Sequence, residues 1–329
     1  MVYDLRKIEN FVLQGLEINS RYPFSNQQYK LKKKQQLLSY TLKSLIKKGI
    51  VKSFYTLIDY SRFDVLNFRV YFKVNFLSEQ KYKELVDFFV DNPYTSKVIS
   101  CSGQYDLICV FFAKNASQFN KILRSFMEKF PDQLQNYMIL TSVVAHEFGK
   151  KYLFDKNNEP IDIVIGGDRV PEKFDKNDLL LIDMLSNNAR VNSVDVAKKL
   201  NITSRSVINK IKALEKKSVI KGYRPIINLE KIGYGSNLLL IKYHNVSTKI
   251  EKELTNFLAL HSNVVSYIKV FGNHDLEVVV DTKNQFEYRK IEIEIRQKFA
   301  NLIHNIENVP IFSVHKINFF PQFIMDSKD

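Results

Sequence analysis

The chain has 329 residues, 45% of them apolar and 26% charged, which is enough to bury the cores of two or more domains and excludes disorder as its main state. Its longest apolar stretches, such as 107–112 and 238–241, fall far short of the roughly 20 residues that span a bilayer, and Asp4 and Glu9 near the start are unlike a secretory leader. A cytoplasmic protein is therefore expected, and a nucleoid-associated one, since the net charge of +14 sits in two short segments as in nucleic-acid-binding modules: 11 Lys/Arg against 3 Asp/Glu in residues 1–52, and 11 against 5 in residues 174–224.

In chain order, the first basic segment ends in a predicted helix over 35–48 that keeps Leu38, Leu42 and Leu45 inside. Lys34 stands at its cap position, where it cannot accept a backbone hydrogen bond, and the run Lys30, Lys32, Lys33, Lys34 reads as a phosphate-binding stretch. Gln35, Gln36, Ser39, Tyr40 and Lys43 face outward. Residues 53–150 then alternate strand and helix periods: strands at 69–75, 98–102, 106–112 and 137–148, helices at 82–89 and 119–130. That order is βαββαβ, a ferredoxin-like unit. Cys101 and Cys109 lie in apolar runs and read as core packing; no metal or cofactor is expected. Residues 151–173, with Asn157, Asn158, Pro160, Gly166, Gly167 and Pro171, read as a linker in which 161–165 supplies an edge strand.

The second basic segment, 174–224, reads as three short helices. Leu180, Leu181 and Leu185 give the first an apolar face, Ser193 is the expected cap of the second, and Asn201-Ile202 makes a tight turn. Thr203 caps the third, whose stripe Val207, Ile208, Ile211, Leu214 leaves Ser204, Arg205, Ser206, Asn209, Lys210 and Lys212 towards solvent. This is a helix-turn-helix pattern, in which the third helix enters the major groove of double-stranded DNA. Residues 225–329 repeat the βαββαβ order, with strands at 237–244, 264–271, 276–281 and 311–319 and helices led by Ile250 and Tyr288.

Sliding the chain by 169 residues aligns Asn19, Arg21, Lys30 and Leu31 with Asn188, Arg190, Lys199 and Leu200, then Gly103, Asp106, Leu107 and His146 with Gly272, Asp275, Leu276 and His315. The chain is a tandem duplication without a gap. Each copy has a helix-turn-helix part and a ferredoxin-like part, giving an α+β protein with domains 1–52, 53–150, 174–224 and 225–329. Leu107, Cys109 and Phe111 and their alternates Ile108, Val110 and Phe112 make both faces of one strand apolar, so the helix-free face needs a cover. The other copy's sheet supplies it, as an intrachain pseudo-dimer.

The stretch from Phe174 to Arg190, then Val196-Ala197-Lys198-Lys199-Leu200, 211–223 ending in Lys221-Gly222-Tyr223, and the hairpins Gly103-Gln104-Tyr105-Asp106 and Gly272-Asn273-His274-Asp275, resemble the Lrp/AsnC transcription regulators over nearly the whole chain, twice. The resemblance implies a winged helix-turn-helix, a strand-like linker and a domain that dimerises, assembles further and binds amino acids or related metabolites where sheets meet. Carried over by position, Gly103, Tyr105, Asp106, Gly272, His274 and Asp275 would flank that effector pocket. Ser218 departs from the family's usual glycine, which Gly49 keeps in the first copy. Some proteins of this architecture are sirohaem decarboxylases of haem biosynthesis, which depend on an Arg/His-rich segment after the helix-turn-helix. Here 52–59 and 221–228 hold no histidine, leaving only His146 and His315 as candidates, so the expectation is a regulator and not an enzyme.

Overall fold

The computed structural model describes residues 2–22, 35–75, 78–134, 136–154 and 161–326. In chain order its helices and strands are α1 (Lys7–Ile18), α2 (Gln35–Lys47), β1 (Val51–Ile58), β2 (Leu66–Lys73), α3 (Glu79–Asp91), β3 (Thr95–Cys101), β4 (Leu107–Ala113), α4 (Ala116–Lys129), β5 (Asn136–Glu147) and β6 (Ile163–Gly166). The second copy follows with α5 (Lys176–Asn187), α6 (Ser193–Leu200), α7 (Ser204–Lys216), β7 (Ile220–Ile227), β8 (Gly235–Tyr243), α8 (Thr248–Leu260), β9 (Val264–Gly272), β10 (Leu276–Thr282), α9 (Gln285–Lys298) and β11 (Ile303–Ile317).

Each copy forms an antiparallel ferredoxin-like sheet, in the order β5-β2-β4-β3 and β11-β8-β10-β9. Period-2 alternation sorts the side chains between the two faces. Leu107, Cys109 and Phe111 pack on Leu85, Phe89, Phe119 and Phe126 of α3 and α4. Ile108 and Phe112 point the other way and share a core with Leu238 and Leu240 of the second sheet. The expected face-to-face pseudo-dimer is therefore present, and the sheets are also joined at their edges. β5 runs on from β2 to pair with β9, and β11 runs on from β8 to pair with β3, closing an eight-strand ring that β6 extends at β5.

The last strand starts at Ile303 rather than at the expected Ile311. Pro310 looks like a strand boundary because it lacks an N–H, but it sits where β11 passes from β8 to β3, and its carbonyl still accepts from the Ser102 N–H at 3.0 Å. The domain limits near 52 and 224 fall inside β1 and β7, which pair antiparallel as a two-stranded ribbon between the ring and the two helical heads, α1–α2 of the first copy and α5–α7 of the second. The segment expected to be a linker is partly built in: β6 lies on β5, and the Leu153 carbonyl accepts from Gln14 at 2.5 Å and from Asn10 at 3.2 Å on α1.

Candidate nucleic-acid interface

The second head is set by its caps. Thr203 Oγ1 accepts from the Ser206 N–H at 3.1 Å and starts α7, while Asn201, at φ 52°, makes the tight turn after α6. The cap of α6 is Asn192, whose side chain accepts from the Val194 N–H at 3.0 Å, and not Ser193, which is the first helical residue. Val207, Ile211 and Leu214 bury one side of α7. Arg205, Asn209 and Lys212 are exposed on the other, with Ser204 and Ser206 half-buried beside them. Lys210 does not join this face: its ammonium lies 2.9 Å from Asp175 and 2.7 Å from Asp178, the capping box of α5, and those charges hold it. Helical spacing predicts the direction of Lys210 but not the carboxylates waiting there.

In the first head Leu38, Leu42 and Leu45 are buried as expected, and Gln35, Gln36, Tyr40 and Lys43 are exposed with Ser39 half-buried. Lys33 and Lys34 lie outside the described residues. The two heads are crossed over the ribbon, α1 packing on β7 and α5 on β1. Arg21 Nη1 donates to the Ala189 carbonyl at 2.7 Å and Arg190 Nη1 donates to the Ser20 carbonyl at 2.8 Å. The same two loops hold the ribbon, with the Ser20 N–H donating to Tyr223 O and the Ala189 N–H to Phe54 O.

At one end of the ring the two hairpins approach each other. Gln104, Tyr105 and Met138 of the first copy and Lys242, Asn273, His274, His304, Asn305 and Glu307 of the second line a cleft of about 390 Å³. Of the six expected effector residues, Tyr105 and His274 line it. Asp106 and Asp275 hold their own sheets, each accepting from a backbone N–H, of Val74 at 2.9 Å and of Tyr243 at 2.8 Å, and each paired with a lysine, Lys73 or Lys242. Gly272 is required by the backbone: at φ +142° a Cβ there would lie 2.9 Å from the Ile139 carbonyl. Met138, Lys242, His304, Asn305 and Glu307 are not singled out by the sequence, because they join the cleft only through the pairing of strands far apart in the chain.

The winged helix-turn-helix DNA-binding family matches residues 174–221. The HTH-type transcriptional regulator LrpA of Pyrococcus abyssi is 38% identical over 112 residues, covering 33% of this chain and 77% of that protein. An uncharacterised HTH-type transcriptional regulator of Pyrococcus horikoshii is 32% identical over 146 residues, 44% of this chain and 97% of its own length. The chain belongs to the Lrp/AsnC family. Single-copy relatives cover less than half of it, as two Lrp/AsnC copies in one chain require.

The whole tandem Lrp/AsnC architecture is shared with the siroheme decarboxylase NirDL, with a TM-score of 0.63 at 14% identity over 96% of each chain; that protein has also been solved with an iron-uroporphyrin III analogue. This corrects the expectation of a non-enzyme, because a solved chain with the same overall fold is an enzyme. The expectation rested on strand segments without histidine, and these form the ribbon between heads and ring, while His274 and His304 stand in the cleft. His146 and His315 occupy equivalent positions on β5 and β11 with different partners. His146 Nδ1 lies 3.0 Å from both Asp162 carboxylate oxygens, and His315 Nε2 lies 2.8 Å from Ser100 Oγ, with burial lowering its basicity.

Proposed function

We propose that this Lrp/AsnC chain is a sequence-specific, DNA-binding transcription regulator that responds to a small metabolite. The observation that carries the reading is the pair of heads held to each other through Arg21 and Arg190, with the exposed face of α7 on one of them. Arg205 and Asn209 would read base edges, Lys212 would meet phosphate, and the first head would add Gln35, Gln36, Ser39, Tyr40 and Lys43, with Lys33 and Lys34 on the backbone. Because the copies have diverged, a single chain would prefer an asymmetric site, and self-association of chains would restore symmetry. An effector in the cleft between the hairpins would act by favouring one arrangement of heads or chains. Selection of a preferred duplex from a random pool tests this: Arg205→Ala should relax the selected sequence, while Lys33→Ala should weaken all duplexes about equally. A pool that yields no preferred sequence for the parent chain contradicts it.

A second reading, a tetrapyrrole decarboxylase, is supported by the whole-chain similarity to NirDL and by the histidines of the cleft. Titration with iron-uroporphyrin, followed by its visible absorption, separates the two: a saturable spectral change with no DNA selection favours the enzyme.

A further inference from the structure

The helices α2 and α7 carry different chemistry on matching turns. The 169-residue offset sets one on the other residue for residue: Leu38, Leu42 and Leu45 fall on Val207, Ile211 and Leu214, the buried stripe of each. Gln36, Tyr40 and Lys43 fall on Arg205, Asn209 and Lys212, and all six are exposed. At about 100° per residue, these three positions lie on the side of each helix away from its stripe. Gln36 and Arg205 are each the second residue of their helix, with Tyr40 and Asn209 one turn on. In a helix-turn-helix the first turns of the recognition helix meet base edges.

Those first turns are where the copies diverge. Arg205 presents a fork of parallel donors, which matches the two acceptors of guanine, O6 and N7. Gln36 in its place presents one donor and one acceptor, which match N7 and N6–H of adenine. Asn209 has the same adenine-reading amide, whereas Tyr40, 71% exposed, presents a ring whose apolar body suits the methyl group of thymine. Lys43 and Lys212 are alike, and each helix has one exposed aliphatic side chain on its flank, Leu37 or Ile208, so none of these distinguishes the heads. With the heads tied through Arg21 and Arg190, the two helices address two half-sites of one duplex. We infer that these half-sites have unlike base composition: a guanine held by Arg205 marks the one under α7, and the one under α2 is read from A·T pairs alone, with Gln36 on adenine and Tyr40 against a thymine methyl. The inference rests on the regulator reading above and names the DNA that it takes.

The test takes the duplex that the full chain selects from a random pool and modifies one half-site at a time. Replacing guanine by 7-deazaguanine removes the N7 acceptor, and should cost roughly tenfold in affinity in one half-site and nothing in the other. Replacing thymine by uracil in that second, guanine-indifferent half-site should cost about fourfold for each methyl in contact. Two variants that install the other copy's residue assign the halves to the heads. Arg205→Gln should abolish the sensitivity to 7-deazaguanine, and Tyr40→Asn should abolish the sensitivity to uracil while leaving that to 7-deazaguanine intact. Both side chains are exposed, and if either variant fails to fold, the modified duplexes still decide the matter on the parent chain. Sensitivity to 7-deazaguanine in both half-sites or in neither, its persistence in a folded Arg205→Gln protein, or indifference to uracil in the guanine-indifferent half-site would each overturn the inference and leave the regulator reading standing. A parent chain that selects no duplex removes both.

Discussion

Arg21 and Arg190 are equivalent residues of the two copies, and each donates to the carbonyl of the residue preceding the other, at 2.7 Å for Arg21 to Ala189 and 2.8 Å for Arg190 to Ser20. Each guanidinium also lies over an equivalent aromatic ring of the ribbon, Arg21 6.0 Å from the Tyr223 centroid and Arg190 5.2 Å from that of Phe54. The duplication thus reproduces, within one chain, a reciprocal contact that makes the spacing of the two heads a property of the fold.

Removing either guanidinium leaves a buried carbonyl short of a charged donor, which costs about 1.5–3 kcal/mol. Arg21→Ala and Arg190→Ala should each lose about that much in urea denaturation, and the double variant should lose less than both together, since either change opens the same joint. On DNA probes carrying two half-sites at graded separations, the parent chain should favour one separation and the variants should show a flatter preference.

The interior of the ring holds a second cross-copy pair, Arg69 on β2 and Glu277 on β10, 2.6 Å apart and both buried. The equivalent positions in the other copy carry Leu238 and Ile108, which pack in the same core. Breaking a buried ion pair by removing one partner costs about 3–5 kcal/mol, whereas replacing both by apolar groups is often neutral. Arg69→Leu and Glu277→Ile should therefore each be strongly destabilising, while the double variant should melt close to the parent, a coupling that a thermal double-mutant cycle measures directly.

Glu9, buried in α1, governs an acid-sensitive step in the first head. Burial raises its pKa, but hydrogen bonds from Arg6, Lys48 and Tyr3 outweigh that and hold the carboxyl down at about 2. A carboxyl depressed in the folded state contributes stability that is full above its unfolded pKa of about 4.3 and is lost as pH falls through the folded value. Stability should decline between about pH 4.5 and 2, and Glu9→Gln should flatten that limb and lose on the order of 2 kcal/mol at neutral pH. Unfolding curves across that range check both statements.

Local signals in the sequence were reliable where one residue decides a local geometry. Thr203 caps α7 because its hydroxyl suits the position, and Asn201 turns the chain because it tolerates positive φ. The strand order of each sheet followed from the βαββαβ pattern. What stayed hidden was set by partners distant in sequence. Nothing in the β5 pattern says that its second half pairs with β9, and nothing around Lys210 indicates that Asp175 and Asp178 will neutralise it. The cleft was half legible: Tyr105 and His274 were named from the hairpins, while Glu307 and His304 come from the start of β11, which Pro310 concealed. The likeness of the whole chain to a solved enzyme, which overturns the expectation of a non-enzyme, is a property of the complete tandem fold and is not written in any local pattern of histidines.

Whether the two basic heads bind DNA together, as proposed, is tested most directly by fluorescence anisotropy of the full chain on AT-rich duplex DNA across a salt series. Tight binding is expected, with a log affinity that falls steeply and linearly with log salt, the mark of several phosphate contacts made together. Failure to bind even at low salt, or binding indifferent to salt, would contradict it.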